Sequence, residues 1–272
     1  LDGKHGEAVA LAMRLITQLA RVKDATHLID IESVHIDGCI FYGQAGLDYA
    51  DKLVELGAQV VVPTTVNVGS IDLIHPGRVL ENTDREKETA RGARLTMAAY
   101  AKMGVKQTWT CAPYQADVRP EFGKDIAWAE SNAIVFANSV LGARTDRYGD
   151  FMDIASAITG KAPYAGLHLP ENRVGHVILD CSALSHRVAS LDITYPILGY
   201  LGGHYSETDN PVFVGLPPDS TEDQLKALGA AAASAGGVGL FHIVGRTPEA
   251  PTLESVVADR SALPTHVIDA DV

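Results

Sequence analysis

Two periodicities alternate along this sequence, and their alternation limits the fold more than any single motif does. Apolar residues at helical spacing, Val9, Met13, Ile16, Leu19 and Ala20, predict a helix over 7–22. A short apolar run over 26–32 then predicts a strand. Further helices are expected over 47–56, ended by Gly57, over 84–103, ended by Gly104, and from Ile126 onward. Helical spacing returns over 151–159 and over 219–235, the latter capped by Asp219 or Ser220. Between them lie strand-like runs at 59–62 (stopped by Pro63), 107–110, 177–179, 211–216, 237–244 and 265–268, with a Gly-rich turn at 196–203. Strands that alternate with helices predict an α/β layered fold. The 272 residues, 46% of them hydrophobic, can bury a large core as one domain or as two lobes, and no interior boundary is visible.

The densest polar stretch is 130–151, Glu-Ser-Asn-Ala-Ile-Val-Phe-Ala-Asn-Ser-Val-Leu-Gly-Ala-Arg-Thr-Asp-Arg-Tyr-Gly-Asp-Phe. It opens as a helix whose buried face is Ile134, Val135, Ala137 and Leu141, then breaks at Gly142. Each polar group after the break needs a partner if it is buried. Two readings fit: a capped helix end with a solvated loop, or the wall of a site whose ligand carries charge and hydroxyls.

Three other loops share this character. In 33–39, extended backbone would place His35, Asp37 and Cys39 on one edge, as a metal site or an acid/base cluster. A strand end with His35 bonded to Asp37 fits equally well. After Pro63, the hydroxyls of Thr64, Thr65 and Ser70 and the amide of Asn67 suit a carboxylate or hydroxyl ligand at a strand's carboxyl end. A third polar loop, Gly245-Arg-Thr-Pro-Glu249, follows the strand-like run over 237–244, and Cys111, just before the turn at Pro113, is placed to ligate a metal.

Net charge is −12, from 22 basic and 34 acidic residues, which disfavours nucleic acid or an anionic membrane as a main partner. Apolar runs fall short of the roughly 18 residues of a membrane span. The first residues look like neither a signal nor a transit peptide, and without an initiator Met the natural start is expected upstream. Cys39, Cys111 and Cys181 are an odd set at wide spacing, which is no disulfide framework and fits a reducing cytoplasm. A P-loop, a dinucleotide G-x-G-x-x-G frame, a G-x-S-x-G elbow and an H-E-x-x-H pair are all absent from the sequence. Four polar loops and a placed thiol favour an enzyme acting on a small polar molecule.

The strings LDGKHGEAVALAMRLI, ESVHIDGC, VVPTTVNVGSIDL, TWTCAPYQ, AWAESNAIVFANSVLGARTDRYGDF, GLHLPENR, LKALGAAAAS and LFHIVGRTPEA run in order along nearly the whole chain. Together they resemble the aconitase X family, a divergent branch of the aconitase superfamily. The resemblance implies α/β lobes around an iron–sulfur cluster and a hydro-lyase activity. The HIDGC and TCAPYQ strings look like the bacterial form, which dehydrates cis-3-hydroxy-L-proline to a pyrroline-2-carboxylate. The archaeal phosphomevalonate dehydratase large subunit is the alternative, and a non-catalytic subunit or scaffold is a second. The bacterial form also carries a further cysteine-bearing segment and a swivelling domain, expected here in the same longer chain or in trans.

From the resemblance, Cys111 is expected to ligate the cluster, with Cys39 a weaker candidate, Cys181 structural, and other ligands beyond Val272. Iron would act as the Lewis acid on the departing hydroxyl. Glu130, Ser131, His35 and Asp37 are the catalytic candidates. Thr64, Thr65, Asn67, Asn132, Arg144 and Arg147 are the substrate contacts, the arginines holding a carboxylate and the enolate-like charge that develops on it.

Overall fold

In a computed structural model of the chain, residues 3–37, 40–67, 69–73, 75, 82–116, 118–257 and 263–269 are described. In chain order the elements are α1 (Glu7–Val22), β1 (Leu28–Asp30), β2 (Val34–Ile36), α2 (Gln44–Glu55), β3 (Thr64–Val66), α3 (Asp84–Lys102), β4 (Ala127–Trp128) and α4 (Ser131–Phe136). There follow α5 (Met152–Thr159), β5 (Lys161–Pro163), β6 (Val177–Asp180), α6 (His186–Ala189), α7 (Thr194–Ser206), β7 (Pro211–Val214), α8 (Glu222–Ala235), β8 (His242–Ile243) and β9 (Thr265–Val267). The class is α/β, as the alternation predicts. Among the described residues no helix is long and apolar enough to cross a membrane.

The chain divides into two compact units, each drawn from several stretches of sequence. The first holds Leu1–Arg119, Asp125–Glu130 and Tyr148–Ala165; the second holds Pro120–Lys124, Ser131–Arg147 and Gly166–Val272.

In the first unit three parallel strands lie in the order β3-β2-β4, with His35 opposite both Thr65 and Trp128. An antiparallel pair, β1 with β5, sets Ile29 against Ala162. The apolar stripe of α1 (Ala8, Ala12, Ile16) joins Ile154, Ala155 and Ile158 of α5, Tyr100 of α3, and Val34 and Ile36 in one core. A capping box starts α3: Glu86 N–H donates to Thr83 Oγ1 at 3.2 Å, and Thr83 N–H donates to Glu86 Oε2 at 2.8 Å.

Three expected elements are displaced in this unit. Pro63 precedes a strand rather than stopping one: it lacks an N–H, but its carbonyl accepts Val34 N–H at 3.0 Å, and β3 pairs onward from there. Over 107–110 no strand forms; among the described residues the edge keeps only a bridge from Thr65 to Lys106, and Trp109 takes a φ of 49°. Ile126 begins no helix, because Ala127 and Trp128 are a buried strand and the helix starts at Ser131.

The second unit carries four parallel strands in the order β8-β7-β6-β9, with Leu179 opposite Phe213 and His266. The expected Gly-rich turn is the helix α7. Its glycines serve close helix packing: a Cβ at Gly199 would lie 2.1 Å from Leu228 O, and one at Gly203 would lie 2.7 Å from Ala232 O, both carbonyls of the Ala-rich α8. The cap of α8 is Thr221, not Asp219 or Ser220; Thr221 Oγ1 accepts Gln224 N–H at 3.2 Å. The Ser220 hydroxyl is already taken by Tyr195 Oη and Pro217 O, each at 2.6 Å.

Candidate active site

Parallel neighbouring strands deliver their carboxyl ends to one edge, and in the first unit that edge is acidic. Asp37 follows β2, Asn67 follows β3 and Glu130 comes two residues after β4. Backbone pairing continues up to them, with Asn67 N–H on Ile36 O at 3.0 Å and Ala129 N–H on His35 O at 2.9 Å. The Asn67 side chain ties the three loops together. Its Nδ2 donates to the Asp37 carboxyl, to Asp37 O at 3.3 Å and to Glu130 Oε2 at 3.1 Å. From the start of α5, the wholly buried Asp153 accepts Asp37 N–H at 3.0 Å and Ile154 N–H at 2.7 Å.

Like charges crowd this edge. Burial first, then the charge of Glu130, a hydrogen bond with it, and the charges of Asp150 and Asp153 push Asp37 up to about 8. Burial and Glu130 also raise Asp150. Tyr42, though exposed, is raised by burial and by Asp37, Asp150 and Glu130. Tyr49 is raised by burial and Asp153, and its buried Oη has no hydrogen-bond partner among the described residues. Beside the cluster, Ile40, Tyr42, Gly43, Ala45, Gly46, Asp150 and Phe151 line a cleft of about 150 Å³. Two non-glycine residues here take left-handed backbone, Glu130 at φ 76° and Phe151 at φ 73°. Each costs on the order of 1–3 kcal/mol, a strain that recurs at functional sites.

His35, Thr64 and Thr65 stand behind this edge. His35 is fully buried, its Nδ1 lies 2.8 Å from Thr65 Oγ1, and burial pushes it down to about 3, so the ring is neutral. The strand ends at Ile36 as expected, but the expected bond between His35 and Asp37 does not form: His35 pairs with Thr65, while Asp37 pairs with Asn67 and Glu130 in an acid cluster. The Thr64 hydroxyl donates to Val62 O at 2.8 Å. Both threonines are strand residues with engaged hydroxyls, which corrects their expected place in a ligand-facing loop. Cys39 lies outside the described residues. The cluster members that sequence reasoning missed are Asp153, Tyr42 and Tyr49. A doubled acid, Asp150 and Asp153, at the mouth of the apolar helix α5 was the available signal.

The remaining expected site residues belong to the second unit. Ser131, exposed, and Asn132, half-buried, open α4. Arg147 is exposed and its guanidinium donates to Gly237 O. After α4 the chain takes a wide π turn, Ala137–Leu141, that ends at Gly142 with φ 72°. A buried joint holds that turn. Arg173 Nε donates to the Glu249 carboxylate at 2.9 and 3.0 Å, Nη1 to Asn138 Oδ1 at 3.1 Å and Leu167 O at 2.9 Å, and Nη2 to Asn138 O at 3.1 Å and Ala143 O at 3.2 Å. The Asn138 amide donates to Thr145 O and Gly239 O, both at 2.9 Å. With its donors all engaged, Arg173 positions the turn.

An iron–sulfur cluster is held mainly by several cysteine thiolates. Cys111 is exposed in the first unit. Cys181 is fully buried in the core of the second, and burial with the nearby Asp180 pushes its thiol up to about 12. It is a packing residue. Among the described residues no three His, Cys, Asp or Glu side chains are grouped to hold a metal ion. These residues therefore do not by themselves form a cluster site.

Family models match in two consecutive pieces, the aconitase X first domain over residues 1–171 and the aconitase X second domain over 175–272. This chain belongs to the aconitase X family. Among curated relatives, it is 45% identical over 264 residues to the cis-3-hydroxy-L-proline dehydratase of Pseudomonas aeruginosa, covering 96% of this chain and 44% of that one. The Hypocrea jecorina protein of the same name is 43% identical, with 97% and 44% covered. The phosphomevalonate dehydratase large subunit of Thermococcus kodakarensis is 40% identical, with 92% and 60% covered. The crystal structure of Thermococcus kodakaraensis aconitase X (holo-form) superposes with a TM-score of 0.85 at 37% identity, covering 99% of this chain and 64% of that one. The chain thus spans less than half the length of its two hydroxyproline-dehydratase relatives.

Proposed function

We propose that this chain acts in a hydro-lyase that removes water from cis-3-hydroxy-L-proline to give a pyrroline-2-carboxylate. The observation that carries the reading is the carboxyl pair Asp37 and Glu130, joined by Asn67 and flanked by Asp150. An edge this acidic suits a ligand with a secondary ammonium and opposes a phosphate. The 45% and 43% identities to dehydratases of that imino acid support the same substrate.

Elimination breaks the C2–H and C3–O bonds of the ring. A base takes the C2 proton, the C–H electron pair becomes the C2=C3 double bond, and an acid protonates the departing oxygen so that it leaves as water. We assign the base to Glu130 and the acid to Asp37, with Asn67 fixing their spacing. His35 and Thr65 set the strand ends from behind. No step is assigned to an iron–sulfur centre; Cys111 is the thiol at which one is tested, by iron and sulfide analysis of anaerobically prepared wild type and Cys111→Ser. A swivelling domain, in a longer chain or in trans, and a cytoplasmic location belong to the same proposal. The 44% coverage of the relatives supports the first, and the wide cysteine spacing supports the second.

The alternative substrate, phosphomevalonate, draws on the 40% identity to a large subunit of that dehydratase. A steady-state assay with each substrate separates the two. Pyrroline formation is expected, falling about 10²–10⁴-fold in Glu130→Gln. Turnover of phosphomevalonate alone overturns the substrate, and loss of neither activity in Glu130→Gln overturns the site. A protein that turns over neither substrate returns the question to a non-catalytic subunit.

A further inference from the structure

We infer that Asp150 reads the ring nitrogen of the substrate, in a slot of the first unit that takes a small cyclic secondary ammonium. The slot is the cleft of about 150 Å³ in which Asp150 stands between the aromatic side chains of Tyr42 and Phe151. Asp150 is the one carboxyl group of that lining, and the lining holds no basic side chain. Arg144 and Arg147, the cations that the sequence places at the substrate, belong to the second unit, where Arg144 lines a cleft with Arg173 and Glu249. Among the described residues no cation acts on Asp150. Burial and the charge of Glu130 hold its carboxyl above the ordinary range, and only a backbone hydrogen bond works the other way. Half-buried and part of the cleft wall, it is within reach of a ligand there.

The walls decide what kind of cation fits. Aromatic rings attract an organic ammonium, and Ile40 and Ala45 offer apolar surface to ring methylenes. A divalent metal ion needs several oxygen ligands and finds a single carboxyl group. The Phe151 wall is held in place by Tyr49 of α2, edge to face with ring centroids 5.0 Å apart. The same helix brings Gly46 to the lining. A Cβ at Gly46 would meet only Phe151 Cε1, at 4.0 Å, so a side chain there suits the helix and takes up the space of the slot. The nitrogen contact also selects between the two substrates under consideration. A cyclic imino acid brings the ammonium that Asp150 lacks, whereas phosphomevalonate has no nitrogen and sets a phosphate against a carboxylate.

This role rests on the dehydration reading for the identity of the ring, so it is tested with rings that cannot lose water. The probes are L-proline and tetrahydrofuran-2-carboxylate of the same hand, which puts an oxygen in place of the ammonium. Each is titrated calorimetrically into the full chain, with Asp150→Asn, Tyr42→Leu and Gly46→Leu as variants and circular dichroism as the check on folding. Wild type is expected to bind proline at least about tenfold more tightly than the oxygen ring, and Asp150→Asn to bind the two within about twofold of each other. Gly46→Leu is expected to lose both. Tyr42 is 78% exposed, so Tyr42→Leu serves if the other variants misfold; it is expected to weaken proline about threefold. No binding of proline, equal affinity of wild type for the two rings, or a preference that persists in folded Asp150→Asn overturns the role of Asp150. Proline binding untouched by folded Gly46→Leu or by Tyr42→Leu overturns the slot. Turnover of cis-3-hydroxy-L-proline is measured on the same wild-type protein. Turnover with a preference unmoved by Asp150→Asn keeps the dehydration and removes this role. A preference that depends on Asp150, without turnover, keeps this role and removes the dehydration.

Discussion

Arg173 in the second unit and Asp37 in the first are both ionisable groups taken largely out of water, and they meet different company. Arg173 finds a carboxylate and four oxygen acceptors, so its charge is matched by hydrogen bonds on every side. Asp37 finds other acids, with the Asn67 amide and the Asp153-bound backbone between them. A matched buried charge is a fastener, and its loss is felt as stability. A crowded acid is kept at a cost in stability, so its removal is felt as chemistry. Burial of a charge alone would not have told these two apart.

Arg173→Met should break the comparison most visibly. It leaves Glu249 and the Asn138 carbonyl groups without their donor, and unfolding free energy in denaturant is expected to fall by about 3–5 kcal/mol. A loss below 1 kcal/mol would show that the joint is not a fastener. Next in size, for each histidine taken singly, is an effect the two units share. His35 and His242 are both buried and held neutral, at about 3 and about 4 against an ordinary 6.5. Between those values the unfolded chain binds more protons than the folded one. Stability from these rings is therefore full above pH 6.5 and declines as pH falls, by up to about 1.4 kcal/mol per pH unit for each histidine. Unfolding curves from pH 7 to 4.5 measure it, and flat stability over that range would contradict neutral burial. At the acid edge Asp37→Asn should raise stability at neutral pH, because a carboxyl held well above its ordinary range by burial and neighbouring acids is replaced by a neutral isostere. A large destabilisation there would make Asp37 a fastener too.

The alternation of helices and strands was legible because long amphipathic stretches such as α1 and α3 declare their period. What failed were short buried segments. Ile126 to Ala129 is apolar throughout, and such a run suits a buried strand as well as a helix. The glycines of α7 read as a turn because their purpose, room for the backbone of α8, lies 29 residues away at Leu228. At the candidate site, Asp37 and Asn67 could be found as polar residues after a strand, and Glu130 as the head of the polar stretch 130–151. Their meeting could not, since it depends on β2 lying between β3 and β4. Arg173 sat inside a matched string with no role, because three of its acceptors are backbone carbonyls with no signature in side-chain letters, and its carboxylate partner Glu249 lies 76 residues away.

The division of the chain has a consequence for how this protein can be made and cut. Ser131–Arg147 belongs to the second unit although it is synthesised between two parts of the first, and β1 must wait for β5 before it has a partner. The first unit is thus incomplete until translation has passed Ala165. A fragment ending where the first family model ends, at residue 171, would carry the π turn but not the Arg173 and Gly239 groups that hold it. The boundary drawn along the sequence is not the boundary along which the molecule can be taken apart.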